Sequence, residues 1–425
     1  MTDETPIPAA AAPLSRRRLM ATAGVAVGAS LMPMVPKLSR AQAANTIRIG
    51  VLNDQSGIYS YLAGVDGVAM AQAAAQEFGN RGFTVEVLSA DHQNKPDVGS
   101  NIARQWIDRD GVDMIIDVPT SSVGLAVNQV LREKNKTYVN VGSATSDLTG
   151  AQCSPNTVHW VYDTYMLAKS TGGATVRAGG DTWFFITADY AFGHALERDT
   201  RRFVEAAGGR VLGGVRTPFP GTSDFSSFLV QAQSSRAKVI GLANAGGDTT
   251  NCIKQAAEFG LTRRGTKLAA LLMFVQDVHA LGLPTAQGLV MTESFYWDLN
   301  DRTRAFTQRV RGRLQRNGVP NMVTSGNYSG TLHFLKAVAE MGVPAAKASG
   351  VDVINRMKAM PVEDEAFGRS QIRPDGRNLI PSYLFEVKKP EESRATWDYL
   401  KLLQTTPAEE AFRPLAEGGC TLVRS

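Results

Sequence analysis

The sequence predicts an α/β protein of two doubly wound lobes, each with a parallel central sheet. Three features carry this. From residue 46 onward, short apolar runs rich in Val, Ile and Phe alternate with segments of helical period. The rhythm restarts near residue 164. Runs such as Val112–Val118 (VDMIIDV) are apolar almost throughout, the pattern of a strand covered on both faces. A chain of 425 residues is also long enough for two or three domains with real cores.

The elements follow in order. Thr46–Asn53 (TIRIGVLN) reads as the first strand, and Leu62–Glu77 as a helix with Leu62, Val65, Val68 and Ala69 on one face. Thr84–Ala90 is a strand, Val98–Arg109 a helix, Val112–Val118 a strand, Ser121–Lys134 a helix and Thr137–Val141 a strand. Strands alternating with helices in this way make a parallel sheet with helices on both faces. A helix at Thr164–Val176 opens the second lobe. It continues with strands at Trp183–Thr187, Arg210–Val215, Lys238–Ala243, Lys267–Phe274 and Gly288–Thr292, and with helices at Phe192–Ala207, Asp224–Ser234 and Thr249–Phe259. Residues 301–360 are nearly all helical and are expected to return to lobe one. Phe367–Ile372 and Ser382–Val387, with Asp375-Gly376 between them, read as a hairpin returning to lobe two. The expected plan is lobe one at 44–163 and 293–362, and lobe two at 164–292 and 363–425.

Residues 1–43 read as an export signal. Arg16-Arg17-Arg18 precedes a short apolar stretch broken by Gly24, Gly28 and Pro33, and Ala41-Gln42-Ala43 is a small-x-small cleavage site. The paired arginines resemble a twin-arginine signal, which places the mature chain in the periplasm. Without this leader 40 basic and 38 acidic residues remain, too even a balance for a nucleic-acid-binding face. No later segment reaches the roughly 18 uninterrupted apolar residues of a membrane span. Three cysteines follow the leader. Cys252 sits in a helical pattern and is expected to be buried and free. Cys153 and Cys420 lie in loops rich in Gly, Pro and Ser and are expected to form the one disulfide that an oxidising compartment permits.

Catalytic signatures are missing. No GxGxxG follows the first strand, and there is no GxxxxGK[ST], GxSxG or HExxH. None of His92, His159, His194, His279 and His333 has another His or Cys at metal-ligand spacing. No cofactor, metal or catalytic residue is expected. A cofactor enzyme, which a twin-arginine signal would suit, has no ligand set in the sequence to support it.

What the sequence does place at strand ends is neutral hydrogen-bonding groups. Pro119-Thr120-Ser121-Ser122 follows one lobe-one strand, and Gly142-Ser143-Ala144-Thr145-Ser146 follows the next. Hydroxyls with the free N–H groups of helix starts suit an anionic or amide oxygen, and open α/β sheets bind ligands at these ends. Ser and Thr are also favoured as plain helix caps, so one such loop decides little. Two on adjacent strands favour a binding site.

The opening IRIGVLNDQSGIYSYLAGVDGVAMA, the segment Ser143–Thr149, the turn Asp189-Tyr190-Ala191-Phe192-Gly193 and the stretch Gly247–Leu261 occur together and in order. With them the chain resembles the type I periplasmic binding proteins, the family of the leucine/isoleucine/valine-binding protein, over nearly all of residues 46–420. The resemblance implies two lobes joined by a three-strand hinge that close on a ligand. It implies a monomer that catalyses nothing and hands a small amino acid, or an aromatic or aliphatic carboxylate, to an ABC permease with its ATPases. A periplasmic ligand sensor feeding a receptor would share the same fold. By this resemblance Ser122, Ser143 and Thr145 would hold the ligand's carboxylate and ammonium, with Ser121 and Ala144 in the same loops. Asp248 would take the ammonium where the family has the longer Glu, and Phe192 with Tyr190 would form the lobe-two wall. Tyr61 of the opening motif, Asp163 of the run 159–165 and Tyr296 of the run 294–298 complete the candidate set. Those two aromatic runs either pack at the crossovers or wall a pocket for a flat acid.

Overall fold

The structure is a computed structural model in which residues 45–315 and 318–423 are described. The export signal expected over residues 1–43 lies outside the described residues. In lobe one, β1 (Thr46–Asn53), β2 (Thr84–Asp91), β3 (Met114–Asp117), β4 (Thr137–Asn140) and β5 (Thr157–His159) form a parallel sheet in the order β2-β1-β3-β4-β5. All four residues of β3 are buried, as a central strand with covered faces requires. Helices α1 (Gly64–Phe78), α2 (Pro96–Gln105) and α3 (Ser121–Glu133) make the crossovers between the strands.

Lobe two opens with α4 (Thr164–Arg177), then β6 (Thr182–Ala188), α5 (Ala191–Ala206), β7 (Arg210–Thr217), α6 (Ser226–Ser234), β8 (Val239–Ala243), α7 (Gly247–Glu258), β9 (Lys267–Ala270), α8 (Val275–Leu281) and β10 (Val290–Glu293). Helices α9 (Asp301–Val310), α10 (Met322–Met341) and α11 (Gly350–Ala359) follow. Among them α10 packs along α1 of lobe one. Asn321 starts α10 by accepting the N–H groups of Val323 and Thr324 at 2.9 and 3.0 Å, which satisfies two otherwise orphaned donors.

The last part of the chain differs from the expected hairpin. β12 (Gly368–Ile372) pairs with β11 (Val362–Asp364) and β13 (Asn378–Leu379), and this small sheet touches α10 and α11. β14 (Ser382–Val387) pairs instead with β10 and β15 (Leu400–Thr406). The turn at Asp375-Gly376 is tight, with Arg373 N–H donating to the Arg377 carbonyl at 2.8 Å, so β12 finds its partner at once and β14 is left for the larger sheet. That sheet runs β15-β14-β10-β9-β8-β6-β7, with all strands in one direction except β14, which pairs antiparallel with both β10 and β15.

The chain passes between the sheets at residues 160–163, 294–300 and 380–381. One apolar cluster runs through the cleft, from Ile49 and Val51 under lobe one to Trp183 and Phe185 under lobe two. Cys153 and Cys420 are disulfide-bonded with their Cα atoms 5.6 Å apart, and Cys252 is buried and free. No helix among the described residues is long and apolar enough to cross a membrane.

Candidate ligand site

A narrow cavity lies where the carboxyl ends of both sheets face each other. Lobe one contributes Tyr59 and Leu62 after β1, Pro119 after β3, Gly142 and Ala144 after β4, and Tyr162 from the first crossover. Lobe two contributes Tyr190 and Phe192 after β6, Ala245 after β8, and Leu272 and Phe274 after β9. The ring of Phe219 stacks on Tyr190 with centroids 3.8 Å apart and lies 5.9 Å from Tyr59. Rings from both lobes therefore wall the site, the lining of an apolar, flat ligand body. No Lys, Arg or His is among the described residues that line it.

The lobe-one wall is held by a buried polar chain. Asp54 accepts the N–H groups of Gly57 and Tyr59 at 2.6 and 2.8 Å and Asn94 Nδ2 at 2.7 Å. The Asn94 Oδ1 in turn accepts the Thr120 hydroxyl. The backbone at Asp117 and Val118 has φ of 84° and 55°, a costly geometry for a β-branched residue and one that persists only when its surroundings enforce it. Asp117 Oδ2 accepts Asn53 and Asn327 side-chain amides at 3.0 and 2.9 Å, and the Val118 carbonyl accepts the Ser143 hydroxyl. Gly142 lets this turn close, since a Cβ there would sit 2.5 Å from the Pro119 Cα.

The N-cap residue of α3, Thr120, gives its hydroxyl to Asn94 and makes no cap bond, so no side chain caps the helix start beside Pro119. Uncapped first-turn N–H groups with the helix dipole behind them favour an anion.

Three buried carboxyls surround the lobe interface. Asp248 is 2% exposed, one of its oxygens has no hydrogen-bond partner, and burial pushes its carboxyl up to about 7. Burial likewise pushes Asp277 up to about 7, against the opposing hydrogen bonds from Tyr61 and the Phe274 N–H. Glu293, at the second crossover, is raised well above its ordinary range by burial, against the opposing backbone N–H groups of Val275 and Met322.

Of the expected site residues, Ala144, Tyr190 and Phe192 line the cavity. Tyr61 does not line it and donates instead to Asp277 of the other lobe. Asp248 is buried in the first turn of α7; burial raises the phenols of Tyr59 and Tyr190, and the nearby Asp248 adds to it. The hydroxyl residues are placed differently. Ser143 donates its hydroxyl to the carbonyls of Val118 and Thr120. Ser121 accepts the Thr145 N–H at 3.2 Å, and the Thr145 hydroxyl accepts the Asp147 N–H at 3.3 Å. Ser122 lies partly exposed in the first turn of α3. These side chains shape the loops. The N–H groups of Gly142, Ser143, Thr145 and Ser146 are taken by Asp117, Asn140, Ser121 and Thr164, so it is the uncapped start of α3 that offers backbone N–H groups. Asp163 caps α4 by accepting the Met166 N–H at 2.8 Å and faces Arg377 at 3.5 Å, so it belongs to the crossover. Tyr296 packs in the far lobe-two core with Phe385 and donates to the Trp397 carbonyl at 3.0 Å. Of the two aromatic runs, only Tyr162 reaches the cavity.

Sequence reasoning missed Tyr59, Phe219 and Phe274. Tyr59 stood inside the opening motif, where alternation alone does not say which tyrosine turns inward. Phe219 lies in the loop after β7 and Phe274 after β9, and the sequence carries no sign that either loop folds back over the cleft.

Two α/β lobes with three crossovers and an aromatic cavity between facing strand ends define a ligand-binding clamp. The chain belongs to the periplasmic binding protein family, whose sequence profile matches residues 46–393. Within it the chain is of the type I kind, with two α/β lobes. A periplasmic binding protein of Burkholderia mallei is 46% identical, with 90% of this chain and 100% of that one covered and a TM-score of 0.85. A branched-chain amino acid ABC transporter periplasmic ligand-binding protein of Burkholderia xenovorans is 36% identical, with 88% and 99% covered and a TM-score of 0.77. A solute-binding protein of an R. palustris ABC transporter, solved with 4-hydroxybenzoate, is 23% identical with 86% and 98% covered and a TM-score of 0.77, a likeness of fold. No curated protein sequence matches the chain.

Proposed function

We propose that the mature chain, exported by the twin-arginine route, captures a small aromatic carboxylate between its lobes and presents it, unchanged, to an ABC permease and its ATPases. One observation carries this reading: the cavity is walled by Tyr59, Tyr162, Tyr190, Phe192 and Phe274, without a cationic side chain, beside the uncapped start of α3. Rings suit a flat apolar body, and backbone N–H groups suit its carboxylate without a buried ion pair and the desolvation that one costs. Solute-binding proteins of the same fold hold benzoate and 4-hydroxybenzoate, which agrees with this ligand class.

A second reading rests on Asp248. Its unpartnered buried oxygen is an acceptor that an amino-acid ammonium would satisfy. Calorimetry on refolded, ligand-free protein with benzoate, 4-hydroxybenzoate, L-phenylalanine and L-leucine separates the two. Binding of a benzoate, undiminished in Asp248→Asn, supports the first reading. Binding of the amino acids alone, lost in Asp248→Asn, overturns it in favour of the second.

A further inference from the structure

β15 is an edge strand of the lobe-two sheet, yet the chain that leaves it does not stay on lobe two. Its first part is fastened there: Lys169 of α4 donates to the Glu410 carbonyl. Phe412 is buried under the Arg377 guanidinium, which stands 4.3 Å above its ring and also donates to the Val161 carbonyl of the first crossover. Beyond it the tail lies on both lobes. Arg413 Nη2 donates to the Ser146 carbonyl of lobe one at 2.9 Å, while Arg202 of α5 reaches Glu417 at 2.6 Å. The fit against lobe one is close: a Cβ at Gly150 would sit 2.5 Å from Arg413 Nη2 and 2.8 Å from the Gly418 carbonyl. Cys420 ends the run, bonded to Cys153 in the loop between β4 and β5.

We propose that this tail is a strap, a fourth connection between the lobes beside the three crossovers, which the Cys153–Cys420 bond closes and which limits how far the lobes open. A stretched chain spans about 3.3 Å per residue, so residues 407–419 would leave ample slack if they hung free. They do not hang free. Contacts to both lobes pin them along their length, and opening must peel the Arg413–Ser146 or the Arg202–Glu417 contact. With the bridge intact a peeled tail stays beside its seat and re-docks. Without it the tail leaves lobe one, and the open ensemble widens because a loop constraint is gone.

The test is small-angle scattering of the ligand-free protein in three forms: oxidised wild type, folded wild type reduced with a phosphine and alkylated, and the variant carrying Cys153→Ser and Cys420→Ser. Reduction of the folded protein keeps the test decisive even where the variant fails to fold. The strap predicts a larger radius of gyration and a longer maximum dimension after reduction, with unchanged far-ultraviolet circular dichroism. Arg413→Ala, which loosens the seam but keeps the bridge, should show a smaller expansion than reduction does. A radius of gyration that is the same before and after reduction overturns the proposal. No ligand is needed, so this outcome is independent of what the cleft binds.

Discussion

The hydroxyls of Tyr59 and Tyr190 meet at 2.6 Å across the cleft, one supplied by each lobe. Tyr59 is fixed in lobe one because Asp54 accepts its backbone N–H, and Tyr190 is fixed in lobe two by the stack on Phe219. Next to them Tyr61 donates to Asp277, a second bond between the lobes. The cavity wall is thus also the closing contact, so a ligand that fits the wall favours the closed state by its differential affinity.

Tyr190→Phe keeps the ring and its stack and removes one partner of that pair. The expected loss is about 0.5–1.5 kcal/mol of closure, or roughly two- to tenfold in ligand affinity. Titration calorimetry with the bound carboxylate checks it. Unchanged affinity would show that the hydroxyl pair does not contribute to the closed state.

Stability should fall as the solution becomes more basic. Asp248 and Asp277 are pushed up to about 7, and Asp117 to about 6, from an ordinary 3.8, in each case chiefly by burial. Between those values the folded chain binds more protons than the unfolded one, so this contribution is full below about pH 4 and is lost as pH rises through about 7. Between about pH 4 and 6.5 the buried histidines His92 and His333, pushed down to about 4 chiefly by burial, oppose this trend, so melting temperatures should decline from about pH 6.5 to 8, and Asp248→Asn should flatten part of that decline. A wild-type midpoint that rises over the same range contradicts the assignment.

Ser143→Ala should weaken binding without removing a ligand contact. It leaves the Val118 carbonyl without a buried donor, while the Thr120 carbonyl keeps the Gly124 N–H, and it frees the strained turn beside the cavity. The cost is about 1–3 kcal/mol in stability, read by urea unfolding, with a parallel loss of affinity. Tyr296→Phe is the contrast. It removes the hydrogen bond to Trp397 and should cost about 1 kcal/mol of stability while leaving affinity unchanged. Loss of affinity in Tyr296→Phe would return that residue to the site.

Removing the bridge by Cys153→Ala should destabilise the protein by about 2–4 kcal/mol, since the bond closes a long loop in the unfolded chain. Equal denaturation midpoints for the variant and the oxidised wild type would rule this out.

The sequence by itself determined the two lobes and the disulfide. Apolar runs at strand length, alternating with helical periods, admit few arrangements, because a parallel sheet must bury both faces under its own crossover helices. Cys153 and Cys420 were legible because one cysteine of three sat in a helix and the other two in loops. The neighbourhood of the cavity was legible too, since it lies at the carboxyl ends of the strands, where Ala144, Tyr190 and Phe192 are found. Only the tertiary structure decided which way each side chain turns. Ser143 and Thr145 looked like ligand hydroxyls, but their loops carry buried carbonyl and N–H groups that must be paired, and those groups took the hydroxyls first. Tyr296 and Tyr162 sit in similar aromatic runs, and one fills the lobe-two core while the other lines the cleft. Local sequence sets the period of an element and the chemistry of a loop. The direction of a loop side chain is set by the partners that packing brings to it from residues hundreds of positions away, as Arg377 meets Val161 and Cys420 meets Cys153.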